Sequence, residues 1–186
     1  GRPVMERPAD PALIDDLLAY SRTSTATLNF EPVELNEIVN LVRDDLREEI
    51  ALKEARIELI SSCTLHVVLF QFRQVMNNLI SNSLKFSKPG IPPVITIACT
   101  YGSAGQFEEH RLKPEQNYVH IRVSDNGIGF DPVYQEKIFE VFQRLHGRHE
   151  YSGTGIGLAI VKKIMENHHG FITAKGELDG GACFDM

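Results

Sequence analysis

Three groups of residues in this 186-residue chain have types and spacing that can do chemistry together: Asn78, Asn82 and Lys85; Asp125, Gly127 and Gly129; and Gly153, Gly155 and Gly157. Asn78-Leu79-Ile80-Ser81-Asn82 is polar at i and i+4 within an apolar stretch. Two asparagines on a core helix are costly unless something supplies their hydrogen bonds. An amide oxygen is also a hard neutral donor suited to Mg²⁺, which keeps waters and phosphate oxygens as its other ligands. Asp125 opens Asp-Asn-Gly-Ile-Gly-Phe. A carboxylate there can accept from an exocyclic amine such as adenine N6, and the two glycines let backbone lie close to a flat ring. Gly153-Thr154-Gly155-Ile156-Gly157-Leu158 runs into an apolar helical pattern. Amides at a helix start, with the dipole behind them, favour phosphate. Taken singly, an asparagine that caps a loop and a plain Asp-Asn-Gly turn are the simpler readings; in this order the three describe a nucleotide site.

Each group needs an element to hold it. Phe72, Val75, Met76, Leu79, Ile80 and Leu84 recur at three- and four-residue intervals, so the asparagines and Lys85 share a second stripe of one helix. Tyr118 to Ser124 alternates Val119, Ile121 and Val123 with His120 and Arg122, a half-buried strand with Asp125 at its exit. Leu158, Val161, Ile164 and Met165 make the helix after the last glycines. A dinucleotide fingerprint would need its glycines directly after a strand, and a phosphate-binding Walker loop would need Gly-Lys-Ser/Thr; neither is present. The His-Arg-Asp and Asp-Phe-Gly of eukaryotic-type protein kinases are also missing.

Elsewhere, Pro11 to Ser21 is a short amphipathic helix and Arg22 to Asn29 a Ser/Thr-rich linker. A core helix carries Leu35, Ile38, Val39, Val42, Leu46 and Ile50, followed by strands at Ile57 to Ile60 and near Leu65 to Val68. Val94 to Thr100, Phe171 to Lys175 and Ala182 to Met186 supply further strands, and Gly102 to Gln116 a polar hairpin loop. The expected fold is an α/β (α+β) two-layer sandwich, a mixed, mostly antiparallel sheet covered on one face by helices. The nucleotide lies between the helices and a lid at Asp131 to Ser152.

The motifs resemble those of the ATP-binding domain of two-component sensor histidine kinases, within the Bergerat-fold ATPases. Asn78 to Phe86 is similar to that family's asparagine box, Asp125 to Phe130 to its first glycine box, Gly153 to Leu158 to its second, and Phe139 with Phe142 to its phenylalanine box. Leu13 to Arg22 resembles the end of the second helix of a dimerisation and phosphoacceptor domain. The resemblance implies residues 1–30 as an expression remnant, helix end and linker, and 31–186 as the catalytic domain. It implies ATP and Mg²⁺ as ligands, Asn82 on the metal, and Asn78, Lys85, Phe86, Asp125, Gly127, Gly129 and residues 153–158 around the nucleotide. Arg144 would approach the γ-phosphate. In hydrolytic relatives a glutamate four residues before the metal-binding asparagine activates water; Asn78 holds that place and has no useful basicity. The site would then keep its γ-phosphoryl for a histidine. A regulatory ATP-binding module that phosphorylates nothing and a water-hydrolysing ATPase are the alternatives. Two departures stand out: Val67-Val68-Leu69 replaces the aspartate usual before the asparagine helix, leaving its start without a cap, and Ser83 replaces a common alanine.

No histidine precedes His66, so the acceptor must lie upstream in a parent chain or in another protein. The implied partners are that parent's dimerisation domain, as a homodimer, and a response regulator. Net charge −6 argues against a nucleic-acid surface. Cys63, Cys99 and Cys183 have no Cys-x-x-Cys spacing and read as reduced thiols rather than disulfide or zinc partners. His146 and His149 lack an evident third metal ligand, and His168-His169 at a helix end read as solvated. No run reaches a membrane span and no signal peptide is present. The chain reads as an excised piece with an unfinished last strand. It is expected in the cytoplasm, from a parent either soluble or the inner part of a membrane sensor.

Overall fold

Apolar spacing sets the helices, and a five-stranded sheet gives them a surface to cover. The computed structural model describes residues 11–25, 28–107, 109, 111–141 and 155–186. In chain order these form α1 (Pro11–Thr25), β1 (Glu31–Glu34), α2 (Leu35–Asp45), α3 (Arg47–Leu52), β2 (Arg56–Leu59), β3 (Thr64–Val67), α4 (Leu69–Lys85), β4 (Val94–Ser103), β5 (Asn117–Asp125), α5 (Gly157–Asn167), β6 (Thr173–Glu177) and β7 (Gly181–Asp185). The main sheet runs β2-β4-β5-β7-β6, with β2 parallel to β4 and the other pairs antiparallel. A mixed sheet with a helical layer is the architecture the sequence predicts. The two-stranded β1–β3 sheet, pairing Glu31 with Val67, is an addition to it.

The alternation in β4 and β5 buries Ile95, Ile97, Ile121 and Val123 on one face. Against that face α4 packs Phe72, Val75, Met76, Leu79, Ile80 and Leu84, all buried, and α5 packs Ile160, Val161 and Ile164. The stripe predicted from spacing is therefore the core face of α4, which leaves its polar stripe turned toward α5 and Asp125.

Three local expectations change. Residues 35–50 break at Leu46 (φ −107°, ψ 19°) into α2 and α3 rather than forming one helix. The linker expected from Arg22 is helical to Thr25: Thr23 Oγ1 donates to Ala19 O (2.7 Å), and Thr23 O accepts from Asn167 Nδ2 of α5 (2.9 Å). Cys63 and Cys99 are a disulfide with Cα atoms 6.2 Å apart, not reduced thiols; the β1–β3 layer carries Cys63 onto β4, an approach that a sequence separation of 36 conceals. Cys183 is free. β7 pairs with β5 on one side and with β6 on the other.

Candidate nucleotide site

Asp125 ends β5 where the backbone turns, and its carboxylate is the best-defined group of the site. Oδ1 accepts from Gly127 N (2.9 Å) and Ala182 N (3.2 Å); Oδ2 accepts from Ser83 Oγ (2.7 Å). A carboxylate has roughly four acceptor positions, so one on Oδ2 is left for an external donor. Burial, the largest influence, pushes this carboxyl above its ordinary value, while the bonds from Ser83, Gly127 and Ala182 work the other way. A half-dry carboxylate with one open acceptor suits an exocyclic amine.

Ser83 is the residue whose role the sequence conceals. It is 3% exposed, on the stripe of α4 next to Asn82, and its hydroxyl fixes the rotation of Asp125. A hydroxyl among the apolar positions of a core helix was the available signal, because such a group needs a partner.

The two asparagines divide their work. Asn78 Nδ2 donates to Gly157 O (3.0 Å), and its Oδ1 accepts from Gln74 Nε2 (3.0 Å). Its amide is thus a pin between α4 and the first residue of α5. Asn82, one turn further and half-buried, makes no side-chain hydrogen bond among the described residues. Its oxygen remains available to a ligand. Lys85 Nζ lies 5.5 Å from the centre of the Phe86 ring, and Lys85 lines a pocket shared with Lys53, Ser87 and residues 88–93. Phe86 contributes backbone: its carbonyl accepts from Ile128 N (2.9 Å).

The glycines also separate. A Cβ on Gly127 would stand 2.4 Å from Phe86 O. One on Gly129 (φ +64°) would stand 1.9 Å from Glu177 O and 2.6 Å from Gly181 O. A side chain at either position is thus excluded by the packing of the turn against its own fold. Gly157 is different, since among the described residues its Cβ would meet nothing closer than Asn78 Nδ2 at 3.8 Å. Among the described residues, therefore, the space beside the start of α5 is open. Gly155 has φ +75° and precedes buried Ile156; Leu158, in the first turn of α5, packs partly on the core. Phe139 is buried edge-on to Phe184 of β7 with ring centres 6.3 Å apart, anchoring the base of the lid segment. Phe142, Arg144, His146, Arg148, His149, Gly153 and Thr154 lie outside the described residues.

His168 is not solvated, contrary to expectation. Its Nε2 accepts from Val68 N (3.0 Å) at the start of α4, and Nδ1 contacts Ile164 O (2.7 Å). The cap that the apolar run before α4 lacks is supplied from the end of α5.

A carboxylate with one free acceptor, an uncommitted amide oxygen and an open helix start therefore converge where α4 meets β5 and α5. Comparison with known proteins agrees. The profile of histidine kinase-, DNA gyrase B- and HSP90-like ATPases matches residues 69–186. Cyanobacterial phytochrome A of Nostoc sp. is 38% identical over 172 residues, covering 92% of this chain and 21% of that protein. The autoinducer 2 sensor kinase/phosphatase LuxQ of Vibrio vulnificus is 32% identical over 182 residues, covering 93% and 20%. The chain thus spans about a fifth of the curated relatives it matches. Full-length ShkA in complex with AMPPNP superposes with TM-score 0.71 at 25% identity, over 93% of this chain and 34% of that one. The histidine kinase ThkA in complex with the response regulator TrrA has the same fold, with TM-score 0.63 at 22% identity over 93% and 45%. This chain belongs to the family of histidine kinase-, DNA gyrase B- and HSP90-like ATPases, and within it stands with the sensor histidine kinases.

Proposed function

We propose that residues 31–186 bind Mg·ATP and transfer its γ-phosphoryl to a histidine on a dimerisation domain of the parent chain, for which residues 1–30 hold the helix end and linker. The observation that carries this reading is the state of Asn78. Both ends of its amide are engaged, by Gln74 and Gly157, at the place where a hydrolytic relative would need a carboxylate base. The site positions a triphosphate without activating water.

The residues fit their ligands. Asp125, held by Ser83, receives the adenine amine, and Phe86 and the turn at 127–129 border it. Among the described residues no three carboxylates, cysteines or histidines gather into a site that could hold a cation unaided. Mg²⁺ would take the oxygen of Asn82 and fill its shell with phosphate oxygens and water, neutralising charge during transfer. Residues 153–158 receive the phosphates, with Lys85 and Arg144 as the cations near them. A response regulator is the downstream partner, and the parent acts as a homodimer. No helix among the described residues is long and apolar enough to cross a membrane. The domain works in the cytoplasm, whether its parent is soluble or a membrane sensor.

Calorimetry with nucleotides tests the base site. Wild-type chain should bind ATP well ahead of GTP. Asp125→Asn keeps the shape but exchanges an ionic acceptor for a neutral one, so ATP should weaken about tenfold while affinity for inorganic triphosphate holds. The wild-type preference should also fade as pH falls through the raised range of this carboxyl, because the protonated form no longer accepts on that oxygen. Equal binding of ATP and GTP by wild type would overturn the adenine role.

A further inference from the structure

We propose that His168 is a positioning residue of the nucleotide site, a tie between the start of α4 and the end of α5 that holds Asn82 and Gly157 at the spacing a triphosphate needs. The proposal rests on the ATP reading above.

Val68, the residue before α4, is extended (φ −80°, ψ 104°) and the helix has no side-chain cap of its own. The buried Val68 N–H donates instead to His168 Nε2. A nitrogen that accepts cannot carry the proton, so Nδ1 carries it and donates to Ile164 O. Both ring nitrogens are committed, in the neutral form. Phe30 and Phe72 close over the ring edge-on, with centres 5.2 and 6.0 Å away.

The placement matters because of what lies at the other end. Ten residues along α4 from Val68 is Asn78, and eleven residues back along α5 from His168 is Gly157, joined by the Asn78–Gly157 bond. At about 1.5 Å per residue the two spans are about 15 and 16.5 Å. The helices therefore lie antiparallel and are fastened at both ends, one fastening at the phosphate-binding end and the other at His168. Near the tie, the other polar contact between α4 and α5 among the described residues is weak: Asn167 Nδ2 to Gln71 Oε1 is 3.4 Å, and Gln71 Nε2 is buried with no partner among the described residues. Removing the imidazole leaves the Val68 N–H buried and unsatisfied, and lets α4 slide on α5.

An imidazolium would set a second N–H against that of Val68. Burial chiefly, and the neighbouring His169, hold His168 below the ordinary histidine range, while its bond to Ile164 O acts the other way. The titratable groups around it are His169 on its own segment and His66 of β3, whose ring is stacked with Phe30 (6.0 Å); Phe30, Phe72 and Val68 carry no charge. The unfolded chain takes up this proton at the ordinary value and the folded chain only below it. The stability the tie gives is present above the ordinary value and is lost as pH falls from there toward the lowered one.

The test is Mg·ATP affinity of wild type, His168→Gln and His168→Ala between about pH 8 and about pH 5.5, with Val68 amide exchange followed by NMR. Glutamine places an acceptor near the Nε2 position and does not titrate. His168→Gln should bind within about threefold of wild type at the upper pH and lose less affinity on acidification; any titration of Asp125 is common to both. His168→Ala should bind about tenfold more weakly, with faster Val68 exchange. Alanine binding as tightly as wild type, or identical pH profiles for wild type and glutamine, would overturn the proposal. Should alanine fail to fold, the glutamine comparison decides. Should wild type itself not bind ATP, the nucleotide reading falls, and unchanged Val68 exchange in His168→Gln and His168→Ala would then remove the tie as well.

Discussion

Asn82→Ala should lower phosphotransfer by about a hundredfold or more while leaving the fold intact. Asn82 is the one amide side chain of α4 that makes no hydrogen bond among the described residues, and a ligand lost from a catalytic cation costs several kcal/mol of charge stabilisation. Its removal breaks no hydrogen bond among the described residues, and alanine is the better helix former. The melting temperature should therefore stay within about 2 °C, where a few tenths of a kcal/mol would leave it. Asn78→Ala makes the contrast. It severs the bonds to Gln74 and Gly157 O, so stability and activity should fall together. Transfer by Asn82→Ala within a few-fold of wild type, measured with a supplied acceptor domain, would refute the metal role.

Gly129→Ala should be the most damaging of the glycine substitutions. The new methyl would stand 1.9 Å from one backbone carbonyl and 2.6 Å from another, at a φ of +64°, and neither carbonyl can yield without opening the turn at β6 and β7. A loss of about 3 kcal/mol or more is expected, a fall of roughly 6–12 °C in melting temperature for a domain of this size. Gly157→Ala should behave oppositely. Among the described residues its methyl meets only ordinary contacts, and alanine favours the helix it begins, so stability should hold or rise. If phosphates occupy the space beside it, ATP affinity should nevertheless drop about tenfold. Thermal melts and calorimetry on both variants read this; a stable, well-folded Gly129→Ala, or a Gly157→Ala that binds ATP unchanged, would contradict it.

What the sequence made legible follows from periodicity. The apolar stripe of α4, the alternation of β5 and the helix after Gly157 each report a buried face, and the faces that must meet bring Asn78 against the start of α5. Partners distant in sequence left no such trace. Ser83 and Asp125 are 42 residues apart, and Val68 and His168 are 100 apart. An apolar run before a helix reads as a missing cap unless the acceptor on another helix is known. Cys63 and Cys99 meet because the strand legible near Leu65 to Val68 pairs with β1, which the spacing did not reveal, in a two-stranded layer beside β4. The glycines mislead in another way. Composition shows that a turn needs freedom, but only the neighbouring atoms reveal that Gly127 and Gly129 are packed against backbone carbonyls, while Gly157 meets no close contact among the described residues.

The central claim is that a site with Asn78 where a base would stand hands its γ-phosphoryl to a histidine and not to water. The direct measurement is γ-labelled ATP given to this chain with and without the two-helix acceptor domain of its parent. Alone, the chain should release inorganic phosphate very slowly and should not label itself appreciably. With the acceptor domain, label should pass to that domain's histidine as an acid-labile, base-stable phosphoramidate. The rate should climb with concentration, and climb further on tethering, which brings the effective concentration to about the millimolar range. Rapid phosphate release by the chain alone would identify a hydrolytic ATPase. Binding of ATP with no transfer even when tethered would identify a regulatory module, and either result would contradict the account.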